Sequence, residues 1–201
     1  MIKELAIIGA GGFGQEVKRW ALRSQLNGLF PFTFYVSDQY AQPPHHRPLS
    51  QLDPERSFAV FAIGDPKARK AVAESLRHGQ EFASVIDKTA INESEDTRPV
   101  GLVMCPYSVI TTDCTIGKHV HLNLHADIGH DCTIGDYVTL APSARVSGKC
   151  NIGEGVYIGS NAVIREGVTI APWTVIGAGA VVLSDITETG VYVGAPAKKK
   201  G

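Results

Sequence analysis

Every sixth residue from Met104 to Val182 is aliphatic: Met104, Ile110, Ile116, Leu122 and so on through Ile170 and Ile176, with no polar interruption. Four residues after each stands a small or β-branched residue, among them Ser108, Cys114, Val120, Ala126, Cys132, Val138, Ala144 and Cys150. A period of six residues suits neither a 3.6-residue helix nor a hairpin array. It suits a solenoid in which each hexad supplies a short strand and a turn, three hexads closing one triangular coil. The aliphatic slot points inward, the small slot fills the corner, and successive coils stack at roughly 4.8 Å. Residues 104–186 then give between four and five coils of eighteen residues. Cys114, Cys132 and Cys150 are eighteen apart, so they form an internal ladder rather than a zinc or redox site.

Composition agrees with a β-rich chain. Twenty-one glycines and only 19% charged residues suggest many turns and few solvated helices. With 19 Lys+Arg against 20 Asp+Glu there is no basic excess to hold a polyanion, so nucleic acid is not expected as a partner. The apolar run Leu5–Ile8 is too short for a signal-peptide core or a membrane span, and no later stretch approaches one. The expected location is the cytoplasm, where the cysteines stay reduced.

Residues 1–82 follow another pattern and are expected to form a separate domain from the β-helix of 83–201. A strand at Leu5–Ile8 runs into Gly9-Ala10-Gly11-Gly12-Phe13-Gly14, followed by a helix over Gln15–Leu26. Further strands are expected at Phe32–Val36 and Phe58–Ile63, then a helix from Pro66 to His78, with proline in its first turn. This is a βαβαβ half-Rossmann unit, with glycines 9, 11 and 14 placed where backbone N–H groups and a helix N-terminus cradle phosphate. Asp38 is spaced to hold a ribose hydroxyl, but 82 residues supply only half of a dinucleotide domain. A mononucleotide or nucleotide-sugar site is preferred to NAD; a turn that serves packing alone is the plain alternative. The Pro-rich segment Tyr40–Arg56 reads as a surface loop with His45 and His46 in solvent, and 83–103 as an irregular first coil.

On such a prism the catalysts must be polar turn residues that the repeat does not require. His119, His121, His125 and His130 crowd one stretch, and the first three read as exposed turn residues. Histidine suits general-base chemistry at neutral pH. His130 is chosen because Asp131 follows it and can fix its tautomer, and because the residue one coil on is Gly148, a notch beside the base where a thioester could approach. Zinc is the rival reading for His125 and His130, but the third histidine such a site needs is missing from residues 84–94. No metal is expected.

The hexads resemble the hexapeptide-repeat acyltransferases, a resemblance that implies a left-handed parallel β-helix and a homotrimer with sites between neighbouring prisms. The run His130-Asp131-Cys132-Thr133-Ile134-Gly135-Asp136, the ending Gly194-Ala195-Pro196-Ala197-Lys198, and the front-end Gly9–Gly14, Val36-Ser37-Asp38 and Ala62-Ile63-Gly64-Asp65 narrow the likeness. Over nearly the whole chain it is similar to sialic acid O-acetyltransferases and to N-acetyltransferases of UDP- or dTDP-linked 4-amino sugars. That resemblance implies His130 as general base with Asp131 as its acidic neighbour, and Asn123 near the acceptor amine. It puts Gly11, Gly12, Phe13, Ser37, Asp38 and Gly64 in the nucleotide loops, and Thr139, Gly148, Gly159, Ser160 and Ala178 along the acetyl-CoA arm. Two departures stand out: Phe13 replaces a histidine often found in the glycine turn, and Thr139 a second histidine that contacts the acyl donor. The implied function is direct acetyl transfer from acetyl-CoA to a 4-amino-4,6-dideoxy sugar nucleotide for cell-surface glycan synthesis, with sialic acid O-acetylation as the alternative.

Overall fold

The computed structural model describes residues 3–94 and 99–201. Residues 95–98, within the expected irregular coil, lie outside the described residues.

The front end builds a five-stranded, all-parallel sheet. In chain order its elements are β1 (Glu4–Ile8), α1 (Gly12–Arg23), β2 (Phe32–Val36), β3 (Arg47–Pro48), β4 (Ser57–Phe61), α2 (Pro66–Ser75) and β5 (Glu81–Phe82), with sheet order β3-β2-β1-β4-β5. The apolar runs of β1 and β4 are buried because helices cover the sheet, as parallel sheets require. The Tyr40–Arg56 segment is not wholly a surface loop: Arg47–Pro48 pairs with β2, and its Pro48, at the sheet edge, needs no donor on the outer side. His45 is exposed, whereas His46 is half-buried.

Two glycines make the first turn possible. Gly9 has φ +114° and a Cβ there would lie 2.6 Å from the Ala62 carbonyl; at Gly14 a Cβ would lie 2.1 Å from the Gly9 carbonyl. The chain can therefore drop from β1 straight into α1.

From Val85 onward the chain winds into a left-handed β-helix of two-residue strands on three faces. The first face carries 85–86, 103–104, 121–122, 139–140, 157–158 and 175–176; the second, 91–92, 109–110, 127–128, 145–146, 163–164 and 181–182; the third, 115–116, 133–134, 151–152 and 169–170. Each pairs in register with the strand eighteen residues away, as Ile134 with Ile152 and Leu122 with Leu140. Strands 85–86 and 91–92 join this pairing, so the coil expected to be irregular is regular on two faces. The aliphatic and small slots fill one continuous core. Cys114, Cys132 and Cys150 stack within it, their thiols donating to carbonyls of the next coil (Gly129, Ser147, Arg165) at 3.1–3.2 Å. Burial pushes the Cys114 thiol up, against use as a thiolate. A C-terminal strand at Val191–Val193 extends the first face and turns back on Lys198–Lys199.

Every sixth residue from Gly101 to Gly179 has a positive φ, including Tyr107, His119, His125, Asp131, Tyr137, Lys149 and Trp173. L-residues seldom adopt this conformation. Here it aims the backbone N–H at the turn one coil below, as Lys149 N to His130 O at 2.8 Å and Tyr137 N to Lys118 O at 2.8 Å, so each left-handed residue is compensated by a rung bond.

The front domain docks on the first face. Phe13 packs on His121, with ring centroids 5.6 Å apart, and His119 is wedged between Phe61 and Phe82. At the adjoining corner Lys70 donates to Glu154 at 2.7 Å and lies over the Trp173 ring.

Candidate active site

His130 and Asp131 form the turn between the second and third faces. The left-handed backbone of Asp131 (φ 59°) swings its carboxylate beside the preceding ring, giving His130 Nδ1 to Asp131 Oδ2 at 2.6 Å. Both side chains are about half exposed, at 52% and 51%. With Nδ1–H donating to the carboxylate, the neutral ring presents Nε2 as a bare acceptor.

Gly148 lies one coil further along the same corner, but it does not leave the open notch expected. A Cβ there would sit 2.7 Å from His130 Nε2 and 2.8 Å from its Cε1, so the imidazole itself occupies that space. The glycine lets the ring lie flat across the next coil, which fixes where Nε2 points. Asp131 is flanked along the corner by Asp113 and Lys149, and Lys149 pairs with Glu166 at 3.4 Å.

The other expected residues fall in three places. Asn123, with Gly159, Ser160 and Ala178, lies on the corner between the first and second faces, so the second face separates them from His130. Asn123 Oδ1 accepts from Leu124 N at 2.8 Å. Gly159 is buried because a Cβ would meet Ala178 N at 2.6 Å, whereas Ala178 is exposed. His125 shares this corner and stacks on Tyr107 at 5.2 Å, so His125 and His130 share no metal site. Among the described residues no group of three or more His, Cys, Asp or Glu could hold a metal ion.

Gly11, Gly12, Ser37, Asp38 and Gly64 are exposed at the carboxyl ends of β1, β2 and β4, where open parallel sheets bind ligands. Nothing stands within 4 Å of a Cβ at Gly11, Gly12 or Gly64. Gly11 caps α1 without a side-chain bond, leaving the first-turn amides free. Asp38 accepts from Ser50 N at 3.1 Å, and hydrogen bonds from Ser50 hold its carboxyl below the usual range.

Phe13 is half-buried and packs against Trp20 and His121 at the edge of a core cluster. One expected contact is corrected. Thr139 is 4% exposed and does not face an acyl donor: its hydroxyl donates to Gly64 O at 2.9 Å and accepts from Arg69 at 2.9 Å, beneath the front domain.

That junction also overturns the reading of two histidines as exposed. His119 and His121 are 4% and 1% exposed, covered by the front domain. Burial and the Arg69 charge hold His119 down to about 4 and His121 well below its ordinary value. At their centre is Arg69, a fully buried cation that sequence reasoning missed. Burial lowers it to about 9, which leaves it protonated at neutral pH. A hexad slot reports only which way a side chain leaves the coil, so no local signal marked these residues as covered.

A hexad prism with a helix-covered parallel sheet docked on one face is the architecture that carries these residues. Residues 149–184 match the family profile "Bacterial transferase hexapeptide (six repeats)", and residues 4–76 match the "PglD N-terminal domain". Among solved structures, the acetyltransferase domain of PglB from Neisseria gonorrhoeae FA1090 in complex with acetyl coenzyme A is 27% identical, with TM-score 0.87, covering 100% of both chains. WeeI from Acinetobacter baumannii AYE is 28% identical over 98% of this chain and 100% of its own, TM-score 0.87. PerB from Caulobacter crescentus, in complex with CoA and GDP-perosamine, is 28% identical over 100% and 99%, TM-score 0.87. No curated protein sequence matches the chain. The chain thus carries a hexapeptide repeat and a PglD-type N-terminal domain, and it is similar over nearly its whole length to solved sugar acetyltransferases of the hexapeptide family.

Proposed function

We propose that the protein is an acetyl-CoA-dependent N-acetyltransferase of a nucleotide-linked amino sugar, with His130 as the general base. The observation that carries this is the 2.6 Å His130–Asp131 pair laid across Gly148, a base held in one tautomer with Nε2 free. The solved relatives support the substrate pair: one holds acetyl-CoA, and another CoA with GDP-perosamine, the amino-sugar nucleotide that the Caulobacter N-acetyltransferase acts on. A variant of that Caulobacter enzyme with a histidine replaced by asparagine also holds both.

The front loops at Gly11, Gly12, Ser37, Asp38 and Gly64 hold the nucleotide, the diphosphate resting on backbone amides at the start of α1. Acetyl-CoA lies along the corner of Gly159, Ser160 and Ala178. The sugar amine attacks the thioester carbonyl, forming a C–N bond. His130 Nε2 takes the amine proton and passes it to the departing sulfur as the C–S bond breaks, so CoA leaves as the thiol and the imidazole is neutral again. No acyl-enzyme forms, because the stacked cysteines face the core.

Within one chain the Asn123 corner adjoins the front domain, where Leu124 packs with Phe13, and the second face separates that corner from His130. This favours a homotrimer in which neighbouring prisms complete each site. A 4-amino-4,6-dideoxy sugar destined for a cell-surface glycan is the preferred acceptor, and the cytoplasm, where both substrates are made, is the preferred location. Among the described residues no helix is long and apolar enough to cross a membrane.

The test is CoA release from acetyl-CoA with UDP-, dTDP- and GDP-linked 4-amino sugars beside free and CMP-linked sialic acid. Turnover on one amino-sugar nucleotide is expected. Turnover on sialic acid alone moves the function to O-acetylation.

A further inference from the structure

We propose that Arg69 is the positioning residue for the acceptor: its buried guanidinium locks the Ile63–Gly64 loop to the prism and turns that loop's amides toward the diphosphate of the sugar nucleotide. This rests on the nucleotide-sugar reading above. Arg69 lies on α2, at the junction of front domain and first face. One arm of its fork, Nη1, donates to Ile63 O at 2.6 Å and approaches Gly64 O at 3.3 Å. The other, Nη2, donates to Tyr137 O at 2.7 Å and Thr139 Oγ1 at 2.9 Å. Thr139 Oγ1 donates in turn to Gly64 O at 2.9 Å and closes the triangle.

The consequence follows from peptide planarity. In a trans peptide the C=O and N–H point in opposite directions. With the Ile63 and Gly64 carbonyls drawn into the junction, the N–H groups of Gly64 and Asp65 face away from it, and neither has a partner among the described residues. They lie beside the Gly9 turn, since Gly9 packs on Ala62. Exposed amides next to a free helix N-terminus form a concave anion cradle.

Charge gives a second, independent argument. A buried cation is costly unless it is compensated. Among the described residues Arg69 has no carboxylate within ion-pair distance, its Nε has no partner, and the Asp65 carboxylate favours its charge only from further off. A diphosphate on the far side of the Gly64 peptide adds to that partial compensation. Tyr137 and Thr139 follow His130 in the same coil, so the fork also sets the acceptor loop against the coil that carries the base.

The experiment compares the wild-type protein with Arg69→Met, Arg69→Lys and Thr139→Val. It uses steady-state kinetics with both substrates and calorimetric titration of CoA and of the sugar nucleotide separately. For Arg69→Met, KM and Kd for the sugar nucleotide should rise by about tenfold or more while those for acetyl-CoA and CoA hold, as expected for lost bonds to a charged donor. Thr139→Val should raise the same constants by about three- to fivefold, the scale of a neutral hydrogen bond. Arg69→Lys, which keeps the charge but not the fork, should recover part of the loss. Unchanged sugar-nucleotide constants, or equal losses for both substrates, overturn the proposal. If Arg69→Met fails to fold, Thr139→Val decides by the same split. A wild-type protein that binds CoA but acetylates no sugar nucleotide refutes the function instead. The junction is then judged on the Kd for nucleoside diphosphates, and wild-type failure to bind any of them overturns it too.

Discussion

The front sheet and the prism solve the same problem, burying short parallel strands, in opposite ways. The prism repeats one local rule, and each coil covers the next, so its core is a ladder of like residues on like residues. The front domain has no such redundancy. Its sheet is closed by two helices and by particular contacts such as Gly14 against the Gly9 carbonyl. A repeat tolerates almost any residue at its turns, which is why the prism can place an aspartate, a tyrosine or a lysine in the same left-handed slot. The aperiodic domain is where ligand loops are shaped singly. Function needs both, and the first face is where they meet.

The largest test of this division of labour is His130→Ala. Turnover should fall by about 10²–10⁴, the usual worth of a positioned base, with thermal stability nearly unchanged because the turn is set by the coil and not by the ring. Near-normal turnover would sink the assignment of the base. Ile152→Ala probes the ladder behind that corner. Its side chain is 1% exposed between Ile134 and Ile170, so unfolding free energy should drop by about 2–5 kcal/mol, readable by denaturant titration. A loss well below that range would mean that the coils relax into the gap and the repeat is softer than its register suggests.

Gly148→Ala separates geometry from stability. The atoms nearest the added methyl are those of the His130 ring, a half-exposed side chain that the methyl would push aside, and φ at Gly148 is not in the left-handed region. Melting should therefore barely change, while displacement of Nε2 lowers kcat by about ten- to a hundredfold. Normal kcat would show that the flat ring is not the working conformation.

The smallest effect lies at the junction. His119 faces Arg69, Lys118, Asp136 and the rings of Phe61, Phe82 and Tyr137, and is held down to about 4 against an ordinary 6.5. Between those values the unfolded chain takes up a proton that the folded chain refuses, so stability is full above pH 6.5 and declines as pH falls toward 4. The slope is about 1.4 kcal/mol per pH unit for this one group, and His121 adds in the same direction. On acidification across this window the melting temperature of wild type should fall relative to that of His119→Phe. Parallel curves would mean that the junction opens before the histidine titrates.

Much of the candidate site could be read directly. The His130–Asp131 pair and Gly148 share one corner because eighteen-residue arithmetic puts them there, and the glycine fingerprint sits at the strand ends as its spacing requires. Thr139, His119 and His121 depart from expectation for one shared reason. Each projects outward from its own element, and only the docking of a second element decides whether that direction leads to solvent, ligand or protein. The short edge strand Arg47–Pro48 escaped because proline and polar neighbours give it no periodicity; β2 recruits it.

By itself the sequence determined the prism, its faces and its corners, because a six-residue period dictates side-chain direction at each position through local backbone geometry alone. It also determined the turn from β1 into α1, through glycines that no other residue could replace. Tertiary structure alone decided which face the front sheet covers, that Arg69 is buried between the two units, and that the His130 ring fills the space above Gly148. Those are contacts between residues far apart in the chain, and their energy depends on what each surface meets and not on the pattern that shaped it.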